Sequence, residues 1–256
     1  MEESKIPDWI KEMQKEEPLH KDLKPYINNG GMFVMLKHPL VFAVPYVEQM
    51  HSLYNKQYEH KKNRISDYLK KKNYEGYIFL YERPYRLMAF LNIADKLKGK
   101  KYWEILADIW TDSENIWQNK KTYKMLFGKN LESKKYFMSK EDRKYFDSLP
   151  EQVVVYRGYL QGKNKTGFSY TLNKERAEWF ANRFSGDGKV YERTVRKDKI
   201  VAYTNRRDEQ EVIMRSIEAR QLKRKRQQAI RAAAVAMRTA TCDAAAEPTE
   251  GVEAKS

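Results

Sequence analysis

Arg207-Asp208-Glu209-Gln210-Glu211-Val212-Ile213-Met214 sets two carboxylates, two residues apart, at the head of an apolar run. Read as a strand, the run has a period of two that puts Glu209 and Glu211 on one face. Working back along the chain, Val153-Val154-Val155-Tyr156-Arg157-Gly158 is an apolar strand ending in Arg-Gly, and Gly167-Phe168-Ser169-Tyr170-Thr171 is a second short strand. Gly162-Lys163-Asn164-Lys165 reads as the turn between them, and it lacks the Gly-Lys-Ser/Thr ending of a phosphate loop. One helical pattern follows: Asn173 is its cap, and Ala177, Phe180, Ala181 and Phe184 recur at i, i+3, i+4 and i+7. The expected strands are 152–157, 166–171, 189–195, 199–203 and 210–214. An arginine, a hydroxyl pair and a carboxylate pair at strand edges are what a site for an anionic, sugar-containing ligand needs.

Upstream of Pro150 the texture is helical. Residues 1–45 hold five of the eight prolines, so Trp9 and Ile10 open only a short amphipathic segment in an irregular arm. Val47, Met50, His51, Tyr54, Tyr58, Ile65 and Leu69 then recur at three- and four-residue intervals, a helix that Gly76 is expected to break. A second helix starts after Pro84 and runs to Gly99. A third carries Trp103, Trp110 and Trp117, seven residues apart, a packing seam more readily than a stacking ladder. Ser139-Lys140-Glu141-Asp142 looks like a capped helix start. Helices first and strands afterwards predict an α+β fold. The expected division is a helical lobe over 1–150, a β-rich core over 151–217, and a tail over 218–256 that is first basic and helical and then disordered.

Composition narrows the partners. Formal net charge is +15, with 18 tyrosines and 5 tryptophans, a balance that attracts nucleic acid, phosphorylated cofactors or acidic surfaces. The single cysteine, Cys242, excludes an internal disulfide and a multi-cysteine zinc site. The four histidines, His20, His38, His51 and His60, show no ligand spacing, so no metal is expected. The acidic start and the absence of a long apolar run point away from export or a membrane, toward the cytoplasm.

Tyr156-Arg157-Gly158, then Ser169-Tyr170-Thr171 leading into Ala177-Glu178-Trp179-Phe180-Ala181, then Glu209-Gln210-Glu211 together resemble the Arg, Ser-x-Ser/Thr and Glu-x-Glu motifs of the arginine–serine–glutamate class of mono-ADP-ribosyltransferases. That class includes bacterial toxins and bacteriophage enzymes. The resemblance covers about 60 residues, with a shorter gap between Arg157 and Ser169 than in many relatives and Tyr170 where threonine is common. It implies a small antiparallel or mixed β-sandwich binding NAD as a substrate, with no metal. Arg157 would hold the pyrophosphate through a forked contact that lysine cannot copy. Gly158 would let backbone approach nicotinamide, and Ser169 and Thr171 would hold the folded dinucleotide. Glu211 would stabilise the oxocarbenium-like ribose. Glu209 would orient and deprotonate the arginine of a cytoplasmic, host protein. Phe184 would lie at the nicotinamide end and Tyr203 would meet the target.

Each residue has a plainer reading taken singly: Arg157 as a surface cation, Ser169 as a strand-edge hydroxyl, the glutamates as the wet face of an edge strand. Three functions therefore stand at this stage. One is transfer of ADP-ribose to a protein arginine. A second keeps NAD but passes ADP-ribose to water, as an NAD glycohydrolase, or to nucleic acid. The third is non-catalytic nucleic-acid binding through the basic helical lobe and tail.

Overall fold

The computed structural model describes residue 7 and residues 16–29, 31–114, 116–129, 131–183 and 186–214. Phe184, the expected first helix at Trp9 and Ile10, and the basic tail from residue 218 lie outside the described residues. The chain divides into two compact units: the part up to Leu149 together with Ala202–Gln210, and Pro150–Val201 together with the part from Glu211. The return of Ala202–Gln210 to the first unit has no signal in the sequence. The architecture is α+β, with helices first and antiparallel sheet after them.

The described part of the arm that opens the first unit is more regular than the irregular arm expected. It is a meander of three two-residue strands, β1 (Ile27–Asn28), β2 (Met35–Leu36) and β3 (Val44–Pro45), all antiparallel. Proline explains why they stay short. Pro45 has no N–H to donate and sits in an edge strand, and Pro25 starts the 3₁₀ turn before β1. Leu19, Leu23, Leu36, Leu40 and Val41 cluster with Tyr54 and Tyr58 of the first long helix, α1 (His51–Lys70).

The interruption after α1 falls at Lys72, which takes the left-handed conformation at φ 53°, four residues ahead of the expected break. Gly76 instead lies in the first turn of α2 (Tyr74–Leu80), where its N–H donates to the capping Asn73 Oδ1 at 2.9 Å. Next come α3 (Arg86–Ile93) and α4 (Gly99–Asp112). Trp103 and Trp110 of α4 are fully buried among Tyr102, Tyr123, Phe127 and Phe137. Trp117 does not continue that row, because α4 ends at Asp112; it is 49% exposed, with the Lys120 ammonium 4.1 Å from its ring centre. The two indoles inside the helix are packing, and the third belongs to another environment. After α5 (Lys120–Leu126), α6 (Lys140–Ser148) begins at Ser139, whose Oγ accepts the Asp142 N–H at 3.0 Å.

In the second unit β4 (Gln152–Leu160) and β6 (Gly188–Arg196) pair along nine positions, from Gln152↔Arg196 to Leu160↔Gly188. The sheet order is β6–β4–β5–β8–β7, with β5 (Ser169–Thr171), β7 (Ile200–Thr204) and β8 (Glu211–Met214). Helix α7 (Lys174–Asn182) is capped by Asn173, whose Oδ1 accepts the Arg176 N–H at 2.9 Å. It buries Ala177 and Ala181 against β4 and β6. The approach is limited by backbone. A Cβ on Gly158 would lie 2.2 Å from the Ala177 carbonyl oxygen, and one on Gly188 would lie 2.0 Å from that of Ala181.

Two outcomes follow. Gly158→Ala must push α7 off the sheet, and we expect a loss on the order of 3 kcal/mol in chemical denaturation. The second concerns His38, buried beside Tyr26 and Tyr58 with its Nδ1 accepting the Leu40 N–H at 3.0 Å. Burial depresses its pKa from 6.5 to about 4; Asp22 opposes this, while His20 and Lys62 reinforce it. The unfolded chain therefore binds a proton first. The His38 contribution is complete above pH 6.5 and is lost as pH falls toward 4, by at most roughly 1.4 kcal/mol per pH unit. Thermal unfolding of wild type and His38→Gln across that window should show a steeper fall of stability toward pH 4 in the former.

Candidate active site

β4, β5 and β8 are neighbours, and their register decides which of the predicted residues share a face. Tyr156 pairs with Thr171, and Thr171 with Glu211; Ser169 pairs with Ile213. Cross-strand partners point the same way, and so do residues two apart on one strand. Ser169, Thr171 and Glu211 therefore share one face, with Glu211 opposite Thr171 and diagonal to Ser169. This is the face on which α7 rests, because the missing Cβ of Gly158 aims into that helix. Gly158 was expected to open backbone to a ligand. The space its missing side chain leaves is filled by α7, so the glycine serves helix packing.

Arg157, one residue from both Tyr156 and Gly158, leaves β4 on the opposite face, with Tyr170. Its Cζ is 6.0 Å from the Tyr170 ring centre. From there its guanidinium reaches the start of β5: Nη1 donates to the Ser169 carbonyl at 2.6 Å and Nε to the Asn164 carbonyl at 3.0 Å. Gly167 makes room for it, since a Cβ there would sit 2.9 Å from Arg157 Cζ. Burial holds the Arg157 pKa below its usual range, and Tyr170 and Glu211 work against that shift. A guanidinium keeps its proton, so the shift reflects partial removal from water and not a change of charge. The two carbonyls use two of its five N–H groups.

Glu211 is 4% exposed and opens β8. Thr171 is equally buried, and its Oγ1 accepts the Asn173 N–H at 3.0 Å, which turns the chain from β5 into α7. The Thr171 hydroxyl thus has a local structural bond beside any ligand role.

The strand expected at 210–214 starts one residue later, and this corrects the pairing of the two glutamates. Gln210 is left-handed at φ 45° and Asp208 at φ 54°. Regular alternation cannot pass through Gln210, so a period of two does not relate Glu209 to Glu211. Glu209 lies in the loop before the strand, where its Oε2 is 3.1 Å from Arg207 Nη2.

That loop is held within the first unit by residues the sequence did not single out. The buried Asp142, third residue of α6, accepts the Asn205 N–H at 3.0 Å, and Asn205 Oδ1 accepts the Gln210 N–H at 2.9 Å. Arg206 pairs with Asp108 of α4. Tyr203, expected to meet a target, is 4% exposed and packs on Tyr145, ring centres 4.7 Å apart. Burial pushes its phenol up to about 12, with Tyr145, Asp142 and Asp208 adding to the shift. The residues this loop does expose are Asn205, Arg206, Arg207 and Asp208. The Ser139 cap pointed to the start of α6, but nothing local in the sequence links Asp142 to a loop 63 residues on.

A cavity of about 420 Å³ opens in the first unit, lined among others by Tyr26, Asn28, Lys37 and Tyr85; none of the predicted site residues lines it. Among the described residues no group of three or more His, Cys, Asp or Glu side chains has the spacing to hold a metal ion. No helix of the described residues is long and apolar enough to cross a membrane. Comparison with protein families, with curated proteins and with solved structures finds no match.

The backbone at Gln210 generates its own test. A β-branched side chain tolerates positive φ poorly, so Gln210→Val should destabilise by about 1–2 kcal/mol, whereas Gln210→Gly should be neutral or better. Urea denaturation of the three proteins measures the difference.

Proposed function

We propose that the chain is an NAD-dependent mono-ADP-ribosyltransferase that modifies an arginine of a protein. One observation carries the reading: the ordered Arg157, Ser169 and Glu211 fall on the adjacent strands β4, β5 and β8. The Arg157 guanidinium is bonded at Ser169, and Glu211 is buried and near enough to favour its charge. A partly buried guanidinium and a buried carboxylate, on opposite faces of neighbouring strands but electrostatically coupled, suit a substrate that is anionic at its pyrophosphate and becomes cationic at its ribose.

In this reading the bond from ribose C1′ to nicotinamide nitrogen breaks, and its electron pair leaves with nicotinamide. The oxocarbenium that remains is stabilised by Glu211, an interaction stronger in the transition state than in the bound substrate. A guanidinium nitrogen of the target then attacks C1′, and its proton passes to Glu209. Glu209, which pairs with Arg207, would accept a substrate guanidinium in the same way, with Arg207 displaced by the incoming one. Arg157 binds pyrophosphate with the N–H groups left over from the Asn164 and Ser169 carbonyls, which fix the plane of the fork.

Incubation with NAD labelled in its adenylate half, in a lysate, tests the proposal. We expect label on protein, resistant to nuclease, and a fall of about 10²–10³-fold in Glu211→Gln. Label that persists undiminished in that variant would remove the mechanism. Nicotinamide release without label transfer would make water the acceptor, and label lost on nuclease treatment would make it nucleic acid.

A further inference from the structure

The sheet face that Arg157 shares is the second feature of this unit. The alternate positions on that face are Val153, Val155, Arg157 and Tyr159 of β4, Tyr170 of β5, Lys189, Tyr191, Arg193 and Val195 of β6, and Val212 and Met214 of β8. The valines of β4 and β6 are buried at one end. At the other end stand tyrosines and cations, and no Asp or Glu occupies any of these positions. Tyr159 and Tyr191 are half-buried diagonal neighbours, since Tyr159 pairs with Lys189 and Tyr191 with Arg157. Lys165, exposed on the β4–β5 connection, carries its ammonium 4.9 Å from the Tyr191 ring centre and 5.9 Å from that of Tyr159. Arg193 lies 6.0 Å from the Tyr170 ring centre, on the same side.

We propose that this face, through Tyr159, Tyr191, Lys165, Lys189 and Arg193, is a docking platform for single-stranded nucleic acid. Two partly exposed rings on adjacent strands offer unpaired bases a surface to stack on. The lysines and the arginine beside them meet the phosphates that follow each base. Single strands suit it because bases inside a duplex cannot reach rings that lie against a sheet. An acidic peptide would use the cations and leave the tyrosines idle. Lys165 is the adjustable part: its ammonium lies over the rings now, and rotation of its long side chain would carry it to a phosphate when a base takes its place. The platform does not rest on the transferase reading, because binding needs neither NAD nor Glu211.

Fluorescence anisotropy with a labelled 12-residue oligouridylate, the full chain and no NAD tests the platform. We expect Tyr191→Ala and Tyr159→Ala each to weaken binding about tenfold, and Tyr191→Phe to bind as wild type does, because the ring alone is needed. Lys165→Gln and Lys189→Gln should each lower the slope of log K against log salt by about one unit or somewhat less, and a duplex of the same length should bind less tightly. Unchanged affinity in both tyrosine-to-alanine variants would overturn the proposal. So would equal competition by polyglutamate, which needs only charge, or complete displacement by saturating NAD, which would assign the rings to a dinucleotide pocket. Thermal unfolding of Tyr191→Phe and Tyr191→Ala at similar temperatures keeps a binding loss distinct from a folding loss.

Discussion

Everything in the second unit is built on the contact between α7 and the bare backbone of two glycines. Gly158 and Gly188 lie on the same face of β4 and β6, and the carbonyls of Ala177 and Ala181 occupy the volume their side chains would have. The helix can settle there because it presents alanine at the same places. Its depth then sets the position of its own start: Asn173 caps it, Thr171 turns the chain into it, and β5 is held against β4 and β8 in consequence. Arg157 secures the other end of β5 by binding the carbonyl of Ser169. The candidate site is therefore made of residues that also hold the sheet together, and loss of a side chain there has two meanings that only the transition state separates.

Sequence patterns read well where the cause is local. Ser139 and Asn173 announce α6 and α7 because a cap is a bond over three residues, and β4 shows as the apolar run Val153-Val154-Val155. They read less well where the cause is distant. Gly158 looked like an opening for a ligand, but the atoms that need its missing side chain belong to a helix about twenty residues on. Glu209 and Glu211 looked like one face of a strand, and the left-handed turn at Gln210 that separates them has no signature in a residue type that seldom takes that conformation. Asp142 carried a helix-start signal but none for the loop it holds, since that bond spans 63 residues. The α+β class followed from the order of textures along the chain, which neither helix packing nor sheet register can reverse.

The same residue types serve different ends in the two units. The aromatic rings around α4 in the first unit are sealed: Trp103, Trp110, Tyr102 and Phe127 pack edge and face and are buried. In the second unit Tyr159 and Tyr191 keep part of their rings at the surface, next to ammonium groups. Position within a strand or helix, more than composition, separates packing from recognition. The formal charge of +15 describes the whole chain and says nothing of this difference.

Two left-handed residues ahead of β8, both tied into a turn by Asn205, also govern how the gene for this chain can change in length. With that turn kept, removing one codon before Glu211 would draw strand β8 along by a single place. Glu211 would trade faces with Val212, leaving a carboxylate where valine packs. Natural variation in this loop should therefore run through substitutions and paired insertions, with single-residue changes in length rare.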